Sequence, residues 1–236
     1  MDLTWLKEWG DDALRVIFPK VCEVCGRSLS RGEDIMCLHC KLDMPRTQLH
    51  REDFNAIHQR LAGKAPIEKA TGYFYYYRDS DYARLIHKAK YNGRPIIISH
   101  LARSFVKELS ADGFFDDIDV IQPVPMHWIK QLIRGYNQSE VLAKALSDAT
   151  GIAMSKSIVA SQGHKTQTRK NRYERWLNTK GVYRVKNVVG LEGKHVLIVD
   201  DVITTGSTIL ACCEAIHAAS PTTRISVLSL GVTHLQ

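Results

Sequence analysis

Apolar positions change their spacing several times along the chain, and each change marks an element. In residues 1–20, Trp5, Leu6, Trp9, Ala13, Val16 and Ile17 recur near helical spacing until Pro19 stops the pattern, so an amphipathic helix is expected there. Residues 21–48 hold four of the six cysteines, and residues 49–69, polar with Gly63 and Pro66, read as a connector. From residue 70 to 236, strand and helix signals alternate. Phe74–Tyr77 is aromatic and strand-like, Tyr82–Tyr91 is helix-like and ends near Gly93, and Pro95–Leu109 suits a second helix. Ile118–Val124 is an apolar strand stopped by Pro125. Asn137–Ala149 is helical with Gly151 as its terminator. Val196–Val199 is a wholly apolar strand, Ser207–Ala219 a helix and Ile225–Leu230 a final strand. This alternation predicts an α/β fold, a mostly parallel sheet covered by helices on both faces.

Composition narrows the class. A chain of 236 residues suits one full domain plus a small module. With 44% hydrophobic and 24% charged residues it has ordinary globular usage. Lys and Arg number 32 against 25 Asp and Glu, a formal +7, which favours phosphates, nucleic acid or an anionic membrane surface as partners. No run of about 20 apolar residues is present, so no spanning helix is expected. Asp2, Glu8, Asp11 and Asp12 near the start do not fit a secretory signal. Six cysteines without such a signal point to a reducing compartment, the cytoplasm.

Cys22-x-x-Cys25 and Cys37-x-x-Cys40 form two knuckles, with Gly26 turning the chain after the first. Four thiolates satisfy tetrahedral Zn²⁺ and leave no open position, so the expected zinc is structural. The plainer alternatives are four free thiols or a redox pair. His39 sits inside the second knuckle, but Cys40 has the better spacing. Cys212 and Cys213 read as small core residues.

The segment His195-Val-Leu-Ile-Val-Asp-Asp-Val-Ile-Thr-Thr-Gly-Ser-Thr208 joins an apolar strand to two carboxylates, a hydroxyl- and glycine-rich turn, and a helix. Ligands of open α/β sheets bind at the carboxyl ends of strands, and a helix N-terminus offers N–H groups to a phosphate. Thr204, Thr205, Ser207 and Thr208 add hydroxyls, and Gly206 allows close backbone approach. Asp200 and Asp201 fit holders of sugar hydroxyls, directly or through Mg²⁺. The competing reading is an ordinary strand–turn–helix capped by Ser and Thr.

This segment resembles the signature of the type I phosphoribosyltransferases. The resemblance implies that Asp200 and Asp201 meet the ribose hydroxyls of phosphoribosyl pyrophosphate and that Thr204–Thr208 hold its 5-phosphate. It also gives the stretch from Val120 to His127, Val124 and Pro125 included, the place of the pyrophosphate loop. Lys165, Arg169, Lys170, Arg172, Arg175, Lys180, Arg184 and Lys186, opposed only by Glu174, take the slot of the mobile catalytic loop; a solvated basic face is the plainer alternative. With the four-cysteine module, Arg134-Gly-Tyr-Asn-Gln138 and Lys165-Thr-Gln-Thr-Arg-Lys-Asn171, the chain resembles the competence protein F (ComF) family. That implies a type I phosphoribosyltransferase-like sheet flanked by helices behind a zinc module, with Mg²⁺ accompanying phosphoribosyl pyrophosphate. It further implies cytoplasmic handling of imported single-stranded DNA near the inner face of the membrane, beside a helicase-like partner.

Arg134 has two readings: a phosphate contact, or a brace for the turn at Gly135. Asn137 reads as the N-cap of the next helix. The only candidate for a base-selecting hood is Tyr73–Gly93 together with the zinc module. Three functions stay open: an active transferase with Asp200, Asp201, Lys165 and Arg169 at the chemistry, a single-stranded DNA-binding module, and a non-catalytic sensor of phosphoribosyl pyrophosphate.

Overall fold

The computed structural model describes residues 19–161 and 181–234. The expected N-terminal helix over residues 1–20 lies outside them but for its last two residues, and so do Lys165 and Arg169. Seven strands are present among the described residues: β1 (Ala70–Tyr75), β2 (Val120–Pro123), β3 (Ala153–Met154), β4 (Ile158–Ala160), β5 (Tyr183–Val185), β6 (His195–Ile203) and β7 (Arg224–Val232). Five of them form one sheet in the order β1-β7-β6-β2-β3, and every pairing in it is parallel. The carboxyl ends of all five strands therefore share one edge. β4 and β5 form a separate antiparallel pair that brackets residues 162–180.

Helices are α1 (Leu38–Leu42), α2 (Ala56–Leu61), α3 (Asp81–Tyr91), α4 (Pro95–Ala111), α5 (Trp128–Arg134), α6 (Gln138–Thr150) and α7 (Ser207–Ala219). The period-2 alternation of β6 and β7 divides the core. Leu197, Val199, Leu228 and Leu230 face one layer, packed with Leu85 and Ile86 of α3, Leu101 and Phe105 of α4, and Leu142 and Leu146 of α6. Val196, Ile198, Ile225 and Val227 face the other, with Ile57 and Leu61 of α2 and Ile209, Cys212 and Ile216 of α7. Burial on both faces is why these strands read as unbroken apolar runs. No helix among the described residues is long and apolar enough to cross a membrane.

Two expectations need correction. The stretch read as a connector carries a short 3-10 turn, Leu49–Arg51, and α2, whose Ile57 and Leu61 are core residues. Asn55 closes both ends of that N-terminus, accepting from the Ile57 and His58 amides while the His58 side chain receives the Asn55 N–H. The proposed hood is a core element: Tyr73 and Phe74 are fully buried, Tyr73 stacked on Phe105 at 4.6 Å between centroids. The cysteine module is continuous with the first core layer through Cys22, Cys37, Cys40, Ile35 and Met36. The Tyr82 hydroxyl on α3 also donates to the Cys40 carbonyl at 2.7 Å.

Candidate functional site

β6 lies between β7 and β2, and its carboxyl end delivers Asp200 and Asp201 to the middle of the sheet edge. Asp200 Oδ1 accepts from the Ser139 hydroxyl of α6 and from the Asp201 amide, each at 2.9 Å. Asp201, buried, pairs through Oδ2 with Lys90 Nζ of α3 at 2.9 Å. Burial, and then the charge of Asp201, push the Asp200 carboxyl up from its ordinary 3.8 to about 7, against the pull of Ser139, the Asp201 amide and Lys90.

The turn that follows is pinned from below. Arg60 of α2 donates to the carbonyls of Ile203, at 3.3 Å, and Thr204, at 2.8 Å, and also to that of Thr233. Gly206 has φ +77°, and a Cβ there would meet Leu61 Cδ2 at 3.1 Å, so backbone handedness and space both select glycine. Gly206 is the N-cap of α7 and has no side chain to cap it; the Ser207 amide donates to the Thr205 hydroxyl at 3.4 Å, and the next N–H groups of the first turn face the turn. The Thr205 and Ser207 hydroxyls hydrogen-bond at 2.8 Å, and Thr204, Thr205 and Thr208 are exposed. The result is a set of amides and hydroxyls of the kind that suits an anion, flanked by two carboxylates.

Across the edge, β2 leads into Val124 and Pro125. Both Val124 backbone groups are already used, the N–H by Val199 and the carbonyl by the Asn137 amide, so Val124 shapes this wall from the core. His127 caps α5, accepting from the Ile129 amide at 3.4 Å. Arg134 lies over the Tyr91 ring at 5.3 Å and donates to Gln138 Oε1 at 3.4 Å; no carboxylate pairs with it among the described residues. Asn137 is the N-cap of α6, as its sequence position implies. A cavity of about 240 Å³ beneath α5 is lined by Pro123, Pro125, His127, Trp128 and Lys156, and the Trp128 side chain is exposed beside it.

Cys22, Cys25, Cys37 and Cys40 bring their four Sγ atoms within 4.8 Å of one another. Cys25 Sγ and Cys37 Sγ are 3.8 Å apart, and the edge of a tetrahedron of thiolates around Zn²⁺ is also about 3.8 Å for bonds of about 2.3 Å. The Cys37 amide points at Cys22 Sγ at 3.4 Å, the usual support for a thiolate. His39 faces away, 3.3 Å from Asp43. The four donors fit a closed tetrahedral metal centre.

Residues 126–232 match the phosphoribosyl transferase domain family. Among curated proteins, the chain is 29% identical over 197 residues to the DNA utilization protein YhgH of Salmonella typhimurium, covering 80% of each chain. It is 37% identical over 95 residues to competence protein F of Haemophilus influenzae, covering 39% of this chain and 41% of that one. Residues 126–232 carry a phosphoribosyl transferase domain, and over most of its length the chain is similar to the DNA utilization protein YhgH. Solved structures similar to the chain include an adenine phosphoribosyltransferase, at 18% identity and TM-score 0.37 over 59% of this chain and 74% of that one. Another is an allosteric regulatory enzyme of purine biosynthesis, at 20% identity and TM-score 0.39 over 56% of this chain and 25% of that one.

Sequence reasoning missed three side chains that surround the acid pair and the turn, Lys90, Ser139 and Arg60. Each arrives from a helix far from β6 in sequence, so no local spacing announces it. A second titratable group, Glu68, Asp117 and His195, lies within 4.8 Å at the opposite end of the sheet. Its carboxylates are occupied: Arg224 donates to Glu68 at 2.7 and 2.6 Å and to Asp117 at 2.9 Å, and Lys69 also pairs with Asp117. His195 Nε2 meets the Ser226 hydroxyl at 2.7 Å. This is an ion-pair lock on the sheet, not a metal site.

Proposed function

We propose that this protein binds phosphoribosyl pyrophosphate at the turn after β6 and acts in the handling of DNA, with Zn²⁺ holding the cysteine module. One observation carries the reading: Asp200 and Asp201 stand near the carboxyl end of a central parallel strand that leads into a hydroxyl-rich turn and a helix N-terminus with glycine at its N-cap. In that arrangement Thr204, Thr205, Gly206, Ser207 and Thr208 hold the 5-phosphate, and the two carboxylates accept from the ribose hydroxyls. Pro125 and Arg134 stand on the wall that faces the diphosphate, whose charge Mg²⁺ neutralises when bound. Lys165 and Arg169, outside the described residues, belong by sequence to the basic stretch between Gln162 and Lys186.

If the protein turns over, an acceptor nitrogen attacks the anomeric carbon while pyrophosphate leaves. Asp200 and Asp201 then stabilise the developing oxocarbenium charge. The DNA role rests on the relatives named for DNA utilization and competence. Exposed Trp128, beside the cavity, offers the aromatic face on which single strands stack bases. An active transferase of nucleotide metabolism without a DNA role is the alternative.

The test is thermal unfolding with phosphoribosyl pyrophosphate and Mg²⁺. A ligand of the native state raises Tm, and Asp200→Asn with Asp201→Asn abolishes the rise. An unchanged rise in the double variant would place the ligand elsewhere. Salt titration of single-stranded oligonucleotide binding separates the DNA role. Replacing Lys165, Arg169 and Arg172 with Ala reduces the slope by roughly two, at about 0.7 per phosphate contact. Equal slopes remove that segment from DNA binding. Pyrophosphate release on adding candidate acceptor bases, with no oligonucleotide binding, favours the alternative.

A further inference from the structure

An ammonium group pairs with one member of the acid pair, and nothing in the sequence motif accounts for it. Lys90 Nζ sits 2.9 Å from Asp201 Oδ2, with the two side chains only 21% and 11% exposed. No other cation pairs with either acid among the described residues; Arg60, the nearest basic residue of the turn, is spent on backbone carbonyls. α3 presents Lys90 firmly. Ser80 caps its N-terminus, and two clasps hold its last turn to the wall across the site. The Tyr136 hydroxyl donates to the Ala89 carbonyl, and Arg134 covers the Tyr91 ring. Lys90 and its neighbours thus bridge the sheet edge to the segment after β2.

We propose that Lys90 is a positioning residue of the phosphoribosyl site, its ammonium holding the Asp201 carboxylate in the orientation that receives the sugar hydroxyls. The proposal rests on the phosphoribosyl pyrophosphate reading above. Groups around the acid pair come from every side: Lys90 from α3, Ser139 from α6, the Tyr136 hydroxyl before it, Tyr183 from β5 and Cys212 from α7. Burial, with the neighbouring acids, holds Tyr183 and Cys212 in their neutral forms, so Lys90 is the one positive charge in the ring. Without it the two carboxylates face each other uncompensated, one of them takes up a proton more readily, and the set of acceptors for a diol is lost.

The experiment compares wild type, Lys90→Met and Lys90→Arg, with Met keeping the aliphatic stem in place. Carbon-13 NMR of the aspartate carboxyls, without ligand, follows the acid pair from pH 5 to 9, and calorimetry follows phosphoribosyl pyrophosphate with Mg²⁺ over the same range. Expected in Lys90→Met is a rise of about one pH unit in the midpoint of the acid pair, the low end for loss of an adjacent opposite charge. An equal rise in the acid limb of binding and a roughly fivefold loss of affinity at pH 7 accompany it. Lys90→Arg restores both. An unshifted carboxyl midpoint overturns the proposal whether or not ligand binds, and so does a binding profile that keeps the wild-type midpoint. A shifted midpoint in a protein whose wild type binds no phosphoribosyl pyrophosphate identifies the underlying reading as the failure, and the ligand-positioning role falls with it.

Discussion

Asp200 should make the protein less stable as pH rises through neutrality, and Asp200→Asn should remove that loss. In the unfolded chain the carboxyl titrates near its ordinary 3.8; in the folded chain burial and the charge of Asp201 raise it to about 7. Below about pH 4 both states hold the proton, and the group contributes nothing to the pH dependence. Between about pH 4 and 7 the folded state keeps a proton that the unfolded state has released, so stability falls as pH rises. Above about 7 the loss is complete. A shift of about 3 units corresponds to a ceiling of about 4 kcal/mol. Asp200 is only half-buried and solvent screens its charge, so about 2 kcal/mol is the expected size. The assay is urea unfolding of wild type and Asp200→Asn at intervals from pH 4.5 to 8.5, read as the difference between them so that other titrating groups cancel. The difference should grow by about 2 kcal/mol in favour of Asn across that window, while the phosphoribosyl pyrophosphate response is lost. A flat difference would mean that the folded carboxyl titrates normally and that the site stores no electrostatic strain.

Two further outcomes follow from packing. Gly206→Ala forces a side chain into the left-handed region and against Leu61, so it should cost about 1–2 kcal/mol in urea unfolding and weaken any ligand of the turn; wild-type stability would discount the constraint. Cys22→Ser should abolish zinc binding measured by elemental analysis. It should also lower hydrogen-exchange protection in α3 roughly tenfold, about 1.4 kcal/mol, because Tyr82 and Lys88 tie that helix to the module. Loss confined to residues 21–48 would show that the shared core layer transmits nothing.

The parts of the fold that could be read from sequence are those whose chemistry is local. β6, the turn and α7 form one uninterrupted run, and both their boundaries and their juxtaposition of acids, hydroxyls and glycine follow from it. The two Cys-x-x-Cys knuckles meet because each already supplies a pair from one turn. β1 begins earlier than its aromatic run because the strand starts on Ala70, Thr71 and Gly72. Small residues are demanded there, since a Cβ on Gly72 would lie 2.1 Å from Val232 Cγ2. β3 has two residues and no periodicity to detect. α5 was missed for the opposite reason: its apolar residues do not mark a buried face. Lys90, Ser139 and Arg60 belong to the site only through packing of α3, α6 and α2 around the sheet edge.

α5 has a different consequence for how the surface can change over time. None of its side chains is buried; Trp128, Ile129, Leu132 and Ile133 are all exposed, and its ends rest on the His127 cap and on Gly135 in the left-handed conformation. Surface substitutions away from packed features typically stay within about ±0.5 kcal/mol, so the fold exerts almost no veto over these four positions. The turn after β6 stands under the opposite constraint, since Arg60, Leu61 and Gly206 interlock. One rim of the site is thus free to diversify between lineages, acquiring or losing apolar contacts to other molecules, while the rim formed by the turn after β6 is held to its residues by the stability of the chain itself.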